Sequence, residues 1–82
     1  MNIMNIMNID IKKILHIIKQ INDNSFILEN DIQILIEKCY KLNNTLNNTY
    51  FDNILYEIEL NRHDEFYIFE IVDKIRLLLN NL

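Results

Sequence analysis

Glycine, proline, tryptophan and alanine are all missing from this chain. Without glycine there is no phosphate-cradling loop and no dinucleotide-binding fingerprint, because both need backbone that glycine alone supplies freely. A single cysteine excludes a disulfide framework and a thiolate zinc site. One serine and two histidines leave little material for a hydrolase triad. No cofactor, no metal and no small-molecule substrate is expected. An enzyme is the last reading to consider, since no pair of titratable groups falls in an expected apolar cleft.

What is present is a chain of 82 residues, enough for one domain. Half of it is hydrophobic, with 17 isoleucines and 11 leucines against one valine, and 14 asparagines follow. Isoleucine, asparagine, lysine, tyrosine and phenylalanine have AT-rich codons, whereas glycine, proline and alanine codons are GC-rich. The composition therefore points to an AT-rich genome: a virus, a parasite or a low-GC bacterium. The asparagines are then codon drift rather than a prion-like function.

The net charge of −4 argues against a nucleic-acid backbone binder, which needs a surplus of lysine and arginine on one face. The charge is unevenly spread. Residues 1–21 carry Lys12, Lys13 and Lys19 against Asp10, and the acidic excess lies in residues 22–82.

The chain opens on Met-Asn-Ile three times over. Asparagine interrupts the apolar run at every third position and no basic stretch precedes it, so this is no signal peptide. It is also too short and too polar to span a membrane. Residues 1–9 are expected to be a low-complexity extension, frayed, ahead of a single helical domain over 10–82. An intracellular, cytoplasmic protein suits the lone cysteine. Asn43-Asn44-Thr45 and Asn47-Asn48-Thr49 match the glycosylation pattern but are read as loop chemistry.

Helical periodicity organises the rest. In a first helix, from 10 to about 22, Ile11, Ile14, Leu15, Ile18 and Ile21 share one face with Ile17 at its edge. Lys12, Lys13, His16, Lys19 and Gln20 take the other, and Asn8 or Asp10 can cap the start. Residues 23–25 form a turn cluster, and Phe26, Ile27 and Leu28 a short apolar lead-in. Asn30 is expected to open a second helix with Gln33 as its capping-box partner. Its apolar face is Ile32, Leu35, Ile36, Cys39 and Leu42, with Glu37 and Lys41 paired on the wet side.

A loop over 43–48 precedes a third helix, capped by Thr49 and running to about 61. Tyr50, Phe51, Ile54, Leu55 and Ile58 line one side of it, with Tyr56 and Leu60 opposite. Asp64 caps a fourth helix that runs toward Asn80. One stripe there holds Tyr67, Ile68, Ile71, Val72, Ile75, Leu78 and Leu79, while Phe66, Phe69 and Leu77 lie on the other side. No strand survives, so the fold class is all-α: a three- to four-helix antiparallel bundle with the last helix the most buried.

Candidate sites are few. His16 sits on a polar face between lysines and is read as a solvated histidine. His63 lies in a run of carboxylates, Glu57 to Glu65, whose spacing is not that of a helical metal-ligand pair. Residues 22–25 are no calcium loop: the required glycine is missing, Phe26 replaces an oxygen ligand, and Gln33 stands where a bidentate glutamate belongs. Cys39 is centred on an apolar face and is read as a buried structural thiol.

The double-sided last helix is the most informative feature. Its second face is covered either internally, by residues 1–9 or 26–28, or by a partner. A chain this short buries only roughly 60–65% of its unfolded surface, and association is a common remedy. The expected function is a non-enzymatic protein–protein interaction module: an adaptor, an inhibitor or a subunit of a larger assembly, with a homodimer or a hetero-complex as its working form. Its contact residues are expected to be Phe66, Phe69, Leu77, Tyr56 and Leu60, ringed by Glu57, Glu59 and Glu70 that select a partly basic partner. A second class is association with a membrane surface through the basic amphipathic first helix. A third is an acidic inhibitor of a nucleic-acid-binding protein, using Glu57, Glu59, Asp64, Glu65 and Glu70.

Overall fold

The computed structural model describes residues 3–24 and 29–82, with the side chains of residues 3–7 excepted. Four helices follow one another: α1 (Ile3–Asp23), α2 (Glu29–Leu46), α3 (Thr49–Leu60) and α4 (Glu65–Asn80). No strand occurs among the described residues. Each helix packs on its neighbours in sequence, and α1 also packs on α4. Short connections make the neighbours antiparallel, so the helices close into an up-down-up-down ring. The pairs α1/α3 and α2/α4 are diagonal, and their backbones do not approach closely among the described residues.

The expected apolar stripes build the core. Ile14, Ile18 and Ile21 from α1 meet Ile32, Leu35, Ile36, Cys39 and Leu42 from α2. Phe51, Ile54, Leu55 and Ile58 from α3, and Ile68, Ile71, Val72, Ile75 and Leu79 from α4, complete it. Ile11, Leu15 and Ile17 are half-buried against this cluster, as the edge of an amphipathic face should be.

Several boundaries differ from expectation. α1 begins at Ile3, not near Asp10, so its backbone runs through the Met-Asn-Ile repeat. On the helical wheel of α1, Ile9 falls well away from the core stripe of Ile14, Ile18 and Ile21. Ile9 accordingly stands 51% exposed. Asn30 lies inside α2 rather than at its cap. The Gln33 amide donates to Glu37 (3.0 Å) and accepts from Arg62 (2.7 Å), so it closes no capping box. Glu37 thereby bonds Gln33, and no ion pair forms between Glu37 and Lys41.

The expected six-residue loop shrinks to Asn47 and Asn48. α2 continues to Leu46 because Asn43 is buried and closes the turn with its own side chain. Its Oδ1 accepts from the Asn48 N–H (2.9 Å), and its Nδ2 donates to the Asn48 carbonyl (3.2 Å). Asn47 takes the left-handed conformation (φ 50°) that usually falls to glycine, and its N–H returns to the Asn43 carbonyl (2.8 Å). The α3 cap is then Asn48, not Thr49: its side chain accepts from Phe51 N–H at 3.0 Å. Asp64 caps α4 as expected, accepting from Tyr67 N–H. Asn61 and Asn81 end α3 and α4, each donating its amide to a carbonyl of the last turn. In a chain without glycine, asparagines start α3, turn between α2 and α3, and stop α3 and α4.

Asn43→Ala removes both side-chain bonds of the α2–α3 turn and is expected to cost about 1–2 kcal/mol. Asn44→Ala, an exposed neighbour, is expected to cost under about 0.5 kcal/mol. Urea denaturation of the two variants checks this, and equal losses would refute the structural role of Asn43.

The last helix is not the most buried. α2 buries six residues and α4 five, and a ring of four leaves no helix central. Covering of α4 by residues 26–28, or by the side chains of 3–7, falls outside the described residues.

Candidate functional site

The expected contact residues do not form one surface. Phe69 is half-buried and packs on the core, so it belongs to the interior. Phe66 is 89% exposed at the opposite end of α4 from Leu77. Tyr56 and Leu60 are exposed on the outer side of α3, one turn apart. Glu57 and Glu59, two positions apart on a helix, point to different flanks of α3. Glu57 is half-buried, whereas Glu59 accepts a hydrogen bond from the Tyr40 hydroxyl of α2 (3.1 Å). Burial, with that carboxylate as its hydrogen-bond partner, raises the Tyr40 phenol above its ordinary range. Glu70 is exposed on α4. Asp64 serves as a helix cap, which ties it to its own backbone.

Leu77 instead joins residues that the helical wheels did not single out. Tyr50 (58% exposed), Leu77 (50%) and Leu82 (57%) meet half-buried Leu78 around one open groove of about 410 Å³. The groove lies between the start of α3 and the end of α4, and Asn48, Asn81 and Lys74 complete its lining. Seven large hydrophobic side chains stand exposed among the described residues, and three of them share this groove. Scattered single apolar residues are normal on a surface; three converging from two helices and the segment after α4 form a patch. Helical periodicity assigns Tyr50 to the core stripe of the third helix and gives Leu82 no signal, whereas both stand exposed. Only the antiparallel pairing of α3 and α4 brings them together.

Its electrostatics also differ from expectation, since the charged group lining the groove is Lys74 rather than a ring of carboxylates.

A second surface lies across the bundle. Lys12, Lys13, His16 and Ile17 of α1 and Lys38 of α2 line an open hollow of about 360 Å³ with apolar walls. Lysine side chains supply apolar wall through their methylene stems, beside Ile17. His16 makes a side-chain contact with Gln20 (3.2 Å) and has no carboxylate partner.

The remaining candidates are structural. His63, Glu29 and Glu65 share a small polar hollow with Arg62. The Arg62 guanidinium lies 3.9 Å from Glu29, and a fixed cation there repels a metal ion. No group of three metal-ligating side chains assembles among the described residues. Cys39 is fully buried, and burial pushes its thiol up from 9.0 to about 12. A protonated, enclosed thiol is no nucleophile.

Compared with protein-family models, with curated proteins and with solved structures, the chain matches none.

Proposed function

We propose that this chain is a non-enzymatic interaction module, a small adaptor, inhibitor or subunit, that docks a protein partner through the groove between α3 and α4. The observation that carries this reading is the convergence of Tyr50, Leu77 and Leu82 on one open groove. Aromatic and aliphatic anchors surrounded by amides are the usual make-up of a contact centre. Lys74 at the edge favours a partner that offers a carboxylate beside its apolar anchor. A second copy of the chain, related by a two-fold axis, is the partner that purified protein tests directly.

Light scattering across a dilution series, on wild type, Leu77→Glu and Phe69→Glu, distinguishes the surfaces. Wild type is expected to dimerise. Leu77→Glu is expected to give a folded monomer, because the side chain is half in solvent already. Phe69→Glu is expected to lower stability by about 1–3 kcal/mol, because it places a charge against the core. The groove is not a contact surface if wild type stays monomeric and a photo-crosslinker at position 50 captures no polypeptide in cells.

A further inference from the structure

We propose that the lysine face of α1 and α2 seats the bundle on an anionic lipid surface, with α3 and α4 turned to water. This goes beyond the protein-contact reading and does not depend on it, since the two surfaces lie on opposite sides of the ring.

The net charge of −4 opposes such an approach when the sequence is taken as a whole, but the fold partitions that charge. Residues 1–46 carry five lysines and five carboxylates, so this half is neutral. Residues 47–82 carry three basic and seven acidic groups, which accounts for all of the −4. α1 and α2 form one side of the bundle and α3 and α4 the other. Within the neutral half, Asp23, Glu29 and Asp31 lie at the end of α1 and the start of α2, and Asp10 and Glu37 lie outside the hollow that Lys12, Lys13 and Lys38 line at mid-bundle.

The bundle measures 37 × 24 × 21 Å. A charge on its far side is therefore separated from a surface by more than twice the screening length of about 8 Å at physiological salt. The lysines act at contact and the acidic side is screened.

The shape of the lysine face selects the class of partner. Lys12 and Lys13 are exposed and Lys38 half-buried, and the three line an open hollow rather than a closed pocket. That suits a plane of negative charge better than one small anion. Exposed Ile9 lies two turns before His16 on the same outer side, and the lysine stems with half-buried Ile17 add apolar contact beneath the headgroups. The apolar stripe Ile14, Ile18 and Ile21 is committed to the core and cannot insert while the protein is folded. Adsorption is therefore electrostatic and reversible, not the insertion expected of a free amphipathic helix.

Co-sedimentation of the purified chain with vesicles tests this. Vesicles of phosphatidylcholine containing a substantial fraction of phosphatidylserine should bind it at low salt, and phosphatidylcholine alone should not. Lys12→Gln with Lys13→Gln should lower the partition coefficient by more than about tenfold. Asn53→Asp with Asn80→Asp, on exposed positions of α3 and α4, shifts net charge equally and should change it by less than about twofold. Circular dichroism confirms that each pair remains folded. Three results overturn the proposal: no binding to anionic vesicles at low salt, equal losses for the two pairs, or full competition by soluble polyglutamate, which would assign the face to an acidic polypeptide.

Discussion

Truncating Phe51 to alanine is expected to remove about 3–5 kcal/mol of stability. Among the described residues Phe51 is the largest fully buried side chain, and it sits at the start of α3 with its N–H held by the Asn48 cap. Truncation removes the ring from the core and leaves a cavity that the flanking helices, tied by short connections, cannot fully close. A chain of 82 residues has about 4–12 kcal/mol in total, so the loss is a large part of the whole. The melting temperature should fall by about 15–30 °C. Phe66→Ala makes the same chemical change at an exposed position and should stay within about 0.5 kcal/mol of wild type. Thermal denaturation of the pair checks both statements. Similar losses in the two variants would mean that the packing described for α3 and α4 is wrong.

Alkaline pH is expected to produce the second large effect, through Cys39. Its thiol is pushed from an ordinary 9.0 to about 12 because burial disfavours the thiolate. Between those values the unfolded chain gives up the proton and the folded chain keeps it. The unfolded state then binds fewer protons, so stability falls as pH rises. The contribution is intact below about pH 9 and is lost progressively as pH rises toward about 12. The Tyr40 phenol, raised by burial and by Glu59, weakens stability in the same direction above its ordinary 10.0.

Urea midpoints of wild type and Cys39→Ala between neutral pH and pH 11 measure this contribution. The alanine variant should start lower at neutral pH, where it lacks the sulfur's packing, and then fall less steeply. Parallel pH profiles would show that the thiol does not titrate with unfolding. The same enclosure should keep Cys39 from reacting with thiol reagents until the bundle opens.

The candidate surfaces show how far local pattern carries. The wheel of the fourth helix separated Phe66, Phe69 and Leu77 from the main stripe but treated them as one set. In the bundle, Phe69 packs on the core, Phe66 is nearly free, and Leu77 belongs to a groove completed by Tyr50 and Leu82. A wheel gives an angle about one axis; whether that angle meets a neighbour depends on which helices flank it. The lysines behave similarly. The first helix alone shows Lys12, Lys13 and Lys19 opposite an apolar stripe. Lys38 reaches the same hollow only because α2 packs antiparallel beside α1.

The sequence by itself determined an all-α fold of three to four helical segments, most of the core stripe of each and the cap at Asp64. Those features follow from the 3.6-residue period and from side chains bonding backbone within three or four positions, both of which are local. The tertiary structure decided the rest. Burial of Asn43 carried α2 through its expected end and moved the α3 cap to Asn48. Ring closure through α1 and α4 placed an acidic side opposite a charge-balanced side that carries the Lys12, Lys13 and Lys38 hollow, and gathered Tyr50, Leu77 and Leu82 into one groove. These depend on contacts between residues far apart in the chain, which are selected by the joint packing of all four stripes and not by any one of them.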